Sequence, residues 1–202
     1  STPQQMEEAE MMARLAEIGW GKADPSFRQF FTTQFIPGGT AEQHQWFNEL
    51  ERLSCSPATA ARFMREFARI DVQALLPQVR CPTLVLHSRN DVRVPMAESL
   101  LMASAIPGAQ FVPIDSGNHL LLEDEPGWPQ WVEAVRAFMD AKGVRRARLA
   151  GISMGGWIAA RLAGESPERV ERLVLVDDSI VRGTTARKII TASAGNAKRL
   201  SL

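Results

Sequence analysis

The sequence predicts an α/β fold: a helical cap over residues 1–70, followed by a reduced parallel sheet with flanking helices. Three observations lead there. The first seventy residues carry helix caps and helically spaced apolar residues, with no strand signal. From Asp71 onward, short apolar runs alternate with helical stretches, the pattern of parallel strands joined by helices. The run Pro82-Thr83-Leu84-Val85-Leu86-His87 is apolar without alternation, as expected of a strand covered on both faces.

The elements follow in order. Thr2-Pro3-Gln4-Gln5 combines a cap, a proline at the first helical position and a capping-box glutamine, and starts a helix to Ile18 that Gly19 and Gly21 end. Pro37-Gly38-Gly39 is a loop. Thr40-Ala41-Glu42-Gln43 repeats the capping signal for a helix to about Leu53. Ser56-Pro57 opens a third, with Ala61, Met64, Phe67 and Ala68 on one face. Asp71 to Leu76 reads as a short helical turn, ahead of the strand at 82–87. A helix at 97–105, ended by Pro107-Gly108, leads to a strand at 110–114. A helix at 128–141 stops at Gly143. Then come a strand at 148–150, a helix at 157–163, a break at Ser166-Pro167, a strand at 172–176 and a helix at 185–194. The chain thus divides into a cap (1–70), a middle segment (71–143) and a last segment (144–202).

Composition narrows the function classes. Hydrophobic content of 45% and charged content of 23% are ordinary for a soluble globular protein. The formal net charge is zero, which argues against nucleic acid and against an anionic membrane surface as partners. No apolar run reaches the ~20 residues that span a bilayer, and the polar N-terminus has no signal pattern, so the expectation is a cytoplasmic protein. Cys55 and Cys81 fit no metal or redox spacing and read as buried or partly buried free thiols.

The chemistry centres on Gly151-Ile152-Ser153-Met154-Gly155-Gly156. This is a G-x-S-x-G turn between a strand and a helix, where the glycines let the chain turn sharply around an exposed serine. A serine hydroxyl is a weak nucleophile and needs a base beside it. A histidine serves near neutral pH, oriented by a carboxylate that also stabilises the imidazolium. Asp91 follows the 82–87 strand and His119 follows the 110–114 strand, so all three lie at strand C-terminal ends, where open parallel sheets build their sites. Taken singly, Asp91 reads as a loop-capping aspartate and His119 as a structural histidine. Together with Ser153 they read as a catalytic triad.

Here the chain resembles the α/β-hydrolase superfamily. Residues 1–140 resemble the cap and C-terminal half of one branch, the hydrolase units found beside adenylate-cyclase or helix-turn-helix domains in bacterial regulatory proteins. Gly19-Trp20-Gly21, Phe35-Ile36-Pro37-Gly38-Gly39-Thr40, Trp46-Phe47-Asn48-Glu49-Leu50, Pro82–His87, and Asn118-His119 leading to Glu125-Pro126 carry that likeness. Residues 144–178 resemble the elbow strand, helix and next strand of many hydrolases, through Leu149–Gly156, Pro167-Glu168-Arg169-Val170 and Leu173–Asp177. The fold implied is a reduced, rearranged α/β-hydrolase-like parallel sheet with a helical cap. The activity implied is that of a serine hydrolase on an ester or similar acyl bond of a small molecule, without cofactor or metal. Ser153 would be the nucleophile, His119 the base, Asp91 the orienting acid and the Met154 amide an oxyanion donor. Trp20, Phe31, Phe35, Trp46 and Phe47 could line an acyl pocket, although aromatics at such spacings are more often core.

The departures from that family matter. Its order is Ser, Asp, His, and here it is Asp, His, Ser. Its first strands have no counterpart in these residues, nor has the loop that supplies the second oxyanion amide. One such donor is worth about 3 kcal/mol, so the expected hydrolase is slow or degenerate. The elbow strand, the next strand, the Asp strand and the His strand are expected as neighbours in one four-stranded sheet. The elbow strand would be an open edge inviting self-association, guarded by Arg145, Arg146 and Arg148.

A second resemblance overlaps the last strand. Val174–Thr185 is similar to the phosphoribosyl-pyrophosphate motif of amidophosphoribosyltransferases. Asp177 and Asp178 would hold ribose hydroxyls directly or with Mg²⁺, and Gly183-Thr184-Thr185 would offer amides and hydroxyls to phosphate. This alternative is a ribose-phosphate binding module. A third class is a non-catalytic regulatory domain, which the bacterial branch suggests.

Overall fold

The computed structural model describes residues 3–122, 124–152 and 154–176. The chain forms two compact units, Ser1–Ala134 and Val135–Leu202, the division falling within one helix.

The first unit opens with four helices: α1 (Pro3–Gly19), α2 (Ser26–Phe35), α3 (Ala41–Ser54) and α4 (Pro57–Phe67). The caps expected for α3 and α4 are made. Thr40 Oγ1 accepts the Gln43 amide at 3.2 Å while Gln43 Oε1 accepts the Thr40 amide at 2.7 Å, closing a capping box. Ser56 Oγ accepts the Thr59 amide at 3.2 Å, with Pro57 at the first helical position. Helices α1 and α4 lie against each other. Arg65 on α4 spans Glu10 with Nε at 2.7 Å and Nη2 at 3.0 Å, and reaches Glu17 at 2.8 Å. Ala13, Ala16, Trp20, Phe31, Ala60 and Ala61 form the core of this unit, with Met12, Phe27, Cys55 and Met64 packed on it. Small residues on α1 and α4 let the two backbones approach. Gly19, the last residue of α1, leaves room for the Phe27 ring: a Cβ there would lie 2.1 Å from it.

Helix α2 is absent from the expectation. Its aromatics at 27, 30, 31 and 35 do follow the helical period, but its buried face carries Arg28 and Thr32 beside Phe31. Arg28 is buried because its donors are spent on backbone carbonyls, those of Asn48 at 2.8 Å, Trp20 at 3.0 Å and Lys22 at 2.5 Å. Thr32 Oγ1 donates to Asn48 Oδ1 at 2.7 Å, and Asn48 Nδ2 donates to Gln29 Oε1 at 2.7 Å. The Arg28–Thr32 side of the interface between α2 and α3 is therefore polar, and periodicity of apolar residues does not report it. One further expectation changes, and one open alternative resolves. Phe67 is exposed and stacks on Phe63 at 5.7 Å instead of joining the packed face. Trp20, Phe31 and Phe47 are core residues, while Trp46 is exposed.

A 3-10 turn at Gln73–Gln78 precedes β1 (Leu84–Ser88), α5 (Met96–Ala105), β2 (Gln110–Ile114) and the start of α6 (Gly127–Ala141). Strands β1 and β2 are parallel and in register from Leu84↔Gln110 to Ser88↔Ile114. Both thiols are free: Cys55 is half-buried as expected, but Cys81 is exposed.

The second unit holds the end of α6, β3 (Ala147–Ile152), α7 (Met154–Glu165), a 3-10 turn at Pro167–Arg169 and β4 (Val170–Val176). Gly143 takes φ +67°, which a glycine tolerates without strain, and ends α6 as expected. Its amide donates to the Asp140 carbonyl at 3.0 Å and that of Val144 to Met139 at 2.8 Å. Strands β3 and β4 pair in parallel from Arg148↔Arg172 to Ile152↔Val176, as the strand–helix–strand pattern requires. Arg136 donates to the fully buried Ser166 Oγ, and Arg169 pairs with Asp140 at 2.7 Å, fastening α6 to the turn before β4.

The α/β class with parallel strands is therefore observed. The pairing differs in one respect: the described strands form two two-stranded sheets, β1–β2 and β3–β4, in place of the expected sheet of four. Each neighbouring pair was legible because a strand–helix–strand unit constrains its own two strands. A ladder between such units has no local signal. The helix expected at 185–194 lies outside the described residues.

Candidate active site

The loops that follow β1 and β2 are tied together by backbone hydrogen bonds. The Arg89 amide donates to the Ile114 carbonyl at 2.8 Å and the Asn90 amide to the Ser116 carbonyl at 3.1 Å. These bonds extend the β1–β2 pairing beyond the strands and bring Asp91 beside His119. His119 Nδ1 lies 2.8 Å from Asp91 Oδ2. Asp91 Oδ1 accepts the amides of Arg93 at 2.7 Å and Val94 at 3.0 Å, in a turn the aspartate closes itself. One carboxylate oxygen is thus anchored to backbone and the other is aimed at the imidazole. The loop-capping contacts, which the sequence gives as the reading of Asp91 taken singly, are made by the same carboxylate that meets the imidazole.

The electrostatics agree with an ionised Asp91. Burial alone would raise its pKa, since the side chain is 4% exposed. The hydrogen bond from His119 and the two backbone amides outweigh that and hold the carboxyl below its ordinary value. A carboxylate only accepts, so the contact calls for a proton on His119 Nδ1, and in the neutral ring the lone pair is then at Nε2. The His119 side chain is 31% exposed, so the ring is accessible. Phe35 meets it edge-on with ring centroids 5.4 Å apart, and the Arg93 guanidinium lies 5.5 Å from the centroid of the same Phe35 ring.

A polar bracket around this pair was not foreseen. The Glu125 carboxylate accepts Ser116 Oγ at 2.6 Å, Asn118 Nδ2 at 3.1 Å and the Leu122 amide. Asn118 Oδ1 accepts the Gly38 amide at 2.8 Å, and the Leu120 amide donates to the Phe35 carbonyl at 3.1 Å. The only sequence signal was the Asn118-His119 to Glu125-Pro126 stretch, which gave the residues without their roles.

The other expected site residues are placed less fully. Ser153 lies outside the described residues; β3 ends before it at Ile152 and α7 starts after it at Met154. Met154 is the first residue of α7. Asp177, Asp178, Gly183, Thr184 and Thr185 lie outside the described residues. Among the described residues, no group of three or more His, Cys, Asp or Glu side chains could hold a metal ion. Likewise no described helix is long and apolar enough to cross a membrane.

Comparison with known proteins gives a consistent direction. Residues 129–190 match the alpha/beta hydrolase fold family. That stretch includes Gly151–Gly156, β4 and Val174–Thr185, and the hydrolase match lends no support to the phosphoribosyl-pyrophosphate reading. The chain is 33% identical over 90 residues to a 2-hydroxy-6-oxononadienedioate/2-hydroxy-6-oxononatrienedioate hydrolase of Pseudomonas sp, covering 39% of this chain and 32% of that protein. It is 36% identical over 76 residues to a 2-hydroxy-6-oxo-6-phenylhexa-2,4-dienoate hydrolase of Comamonas testosteroni, covering 31% of this chain and 27% of that protein. It is 38% identical over 76 residues to a 2-hydroxymuconate semialdehyde hydrolase of Pseudomonas putida, covering 35% of this chain and 27% of that protein. The chain spans 27–32% of the length of these curated relatives. No solved structure matches it.

Proposed function

We propose that this chain is a serine hydrolase of α/β-hydrolase type that cleaves an ester or similar acyl bond in a small molecule. The observation that carries this reading is the Asp91–His119 hydrogen bond, which engages Nδ1 of a ring whose side chain is 31% exposed and leaves Nε2 for a proton. Ser153 is the nucleophile, His119 takes its proton and returns it to the leaving group, and Asp91 holds the imidazole and stabilises its charged form. The Met154 amide, at the head of α7, donates to the developing oxyanion. With Met154 the one such donor the sequence identifies, turnover is expected to be slow by about a hundredfold. The names of the relatives support hydrolysis as the reaction class, and neither metal nor cofactor enters the chemistry.

The test is hydrolysis of short p-nitrophenyl esters by the full chain. Turnover above background is expected, with a fall to background in Ser153→Ala. Equal rates in the two proteins would remove the triad.

Self-association through β3 is part of the same proposal. Arg148 on β3 is paired with Glu171 of β4 at 3.0 Å and Arg146 donates to the Val170 carbonyl at 2.8 Å, so Arg145 and Arg146, which precede β3, are left as the main like-charge guard beside this strand. Salt screens such repulsion, the Debye length falling to about 3 Å at 1 M. Light scattering is expected to show larger species as salt rises. A monomer at every salt concentration would mean that this side of β3 is covered.

A further inference from the structure

We propose that Glu125, acting through Asn118, is the positioning residue that holds His119 in its working tautomer and orientation. The inference rests on the reading of His119 as the base. Its content is separate: which group outside the triad keeps that base in place.

His119 stands in a segment between β2 and α6 that has no strand or helix of its own to fix it. Its neighbours are fixed instead by one carboxylate. Glu125 Oε2 accepts Ser116 Oγ at 2.6 Å and Asn118 Nδ2 at 3.1 Å, and Oε1 accepts the Leu122 amide. These donors lie three residues before, one residue before and three residues after His119. Ser116 Oγ in turn accepts the Asn118 amide at 2.9 Å, so the serine hydroxyl relays between backbone and carboxylate.

Asn118 then carries the constraint away from its own segment. Its Nδ2 faces Glu125 and its Oδ1 accepts the Gly38 amide at 2.8 Å, across eighty residues of sequence. The amide has only one sensible orientation, because flipping it would set NH₂ against the Gly38 N–H and oxygen against the carboxylate. Ser116 and Asn118 are 6% and 4% exposed, so water does not readily replace lost partners. On the other side of His119, the Leu120 amide holds the Phe35 carbonyl at 3.1 Å, and Phe35 is the ring that meets the imidazole. The backbone on both sides of His119 is thereby pinned to the α2–α3 connection. Glu125 accepts three of the bonds in this bracket, from Ser116, Asn118 and Leu122.

A glutamine at 125 cannot reproduce this. The carboxylate accepts at both oxygens, and one end of an amide only donates. Either Leu122 or the Ser116–Asn118 pair would then face a donor. A displacement of about 1 Å at a base is worth up to ~100-fold in rate.

The direct readout is the tautomer of His119, from the ¹⁵N chemical shifts of its ring in the full chain at a pH where the ring is neutral. The native chain is expected to show the Nδ1–H form, which Asp91 selects, and Asp91→Asn to lose it. Glu125→Gln is expected to keep its fold by circular dichroism, to populate the Nε2–H form, and to lower kcat on a p-nitrophenyl ester at least tenfold with KM within about twofold. The pair Asn118→Asp with Glu125→Gln moves the carboxylate across one hydrogen bond and should restore the native tautomer in part. If Glu125→Gln does not fold, Asn118→Ala is read in the same way. A folded variant of either kind that keeps the native tautomer overturns the inference. Absence of ester hydrolysis in the native chain would sink the hydrolase reading, while the tautomer would still decide this one.

Discussion

Asp91→Asn is expected to lower kcat for ester hydrolysis by about 10⁴-fold, with KM nearly unchanged. The asparagine oxygen can keep the two backbone amides of Arg93 and Val94. That leaves its NH₂ group facing His119 Nδ1, a donor against a donor. The imidazole then moves its proton to Nε2, the nitrogen that must accept the serine proton. Geometry survives and the base is lost. The loss is chemical, so the thermal midpoint should fall far less than the rate. Steady-state kinetics on Asp91→Asn beside the native chain decide this. Undiminished kcat would mean that the Asp91–His119 contact is structural. The same contact predicts a pH effect. The Asp91 carboxyl is held below its ordinary value, so its stabilising contribution is present above that value and is lost as pH falls through the lower, folded one.

Glu51→Gln is expected to stabilise the chain at pH 8.5 by an amount on the order of a few kcal/mol, and to change it little at pH 4. Glu51 is 7% exposed, on the face of α3 that meets α2. Burial is the main cause pushing its pKa from 4.5 up to about 8, against smaller opposing effects from Thr32 and Arg28. Neither offsets the burial. Thr32 has one hydroxyl hydrogen, given to Asn48 at 2.7 Å, and stands 3.3 Å from Glu51 Oε2. Three of the Arg28 bonds go to backbone carbonyls. The folded chain therefore keeps a proton that the unfolded chain releases. Stability falls as pH rises from about 4.5 to about 8 and levels off above that. Urea unfolding across this range, followed by tryptophan fluorescence, should show a declining midpoint in the native chain and a flatter one in the variant. Parallel curves would mean that Glu51 is ionised in the folded protein.

Much of the fold was legible because its signals are local. Thr40 and Gln43 cap α3 across three residues, and Gly143 stops α6 where the chain must turn left-handed. Strand β2 runs over the residues its apolar pattern gave, 110–114. Helix α2 was hidden because Arg28 and Thr32 sit on its buried face, paid for by partners at Asn48 and Trp20 that no periodicity shows. The grouping of strands into two pairs was hidden because ladder formation between distant segments leaves no trace in either one.

The site divides in the same way. Asp91 and His119 were legible because each follows a strand, and parallel neighbours carry their C-terminal loops to one place. The roles of Asn118 and Glu125 were not, because Asn118 finds its partner in a glycine amide from the other end of the unit. The exposure of Phe67 and Trp46 was equally hidden, since an aromatic at a helical spacing reads as core whichever way its face turns.

Covalent labelling tests the central claim most directly. The full chain is treated with a fluorophosphonate, which phosphonylates a serine only when a neighbouring base activates it, and the adduct is located by peptide mass spectrometry. One adduct at Ser153 is expected, lost in His119→Ala and strongly slowed in Asp91→Asn. A label at another residue, or one at Ser153 that forms as fast without His119, would contradict the assignment of these three residues to one catalytic unit.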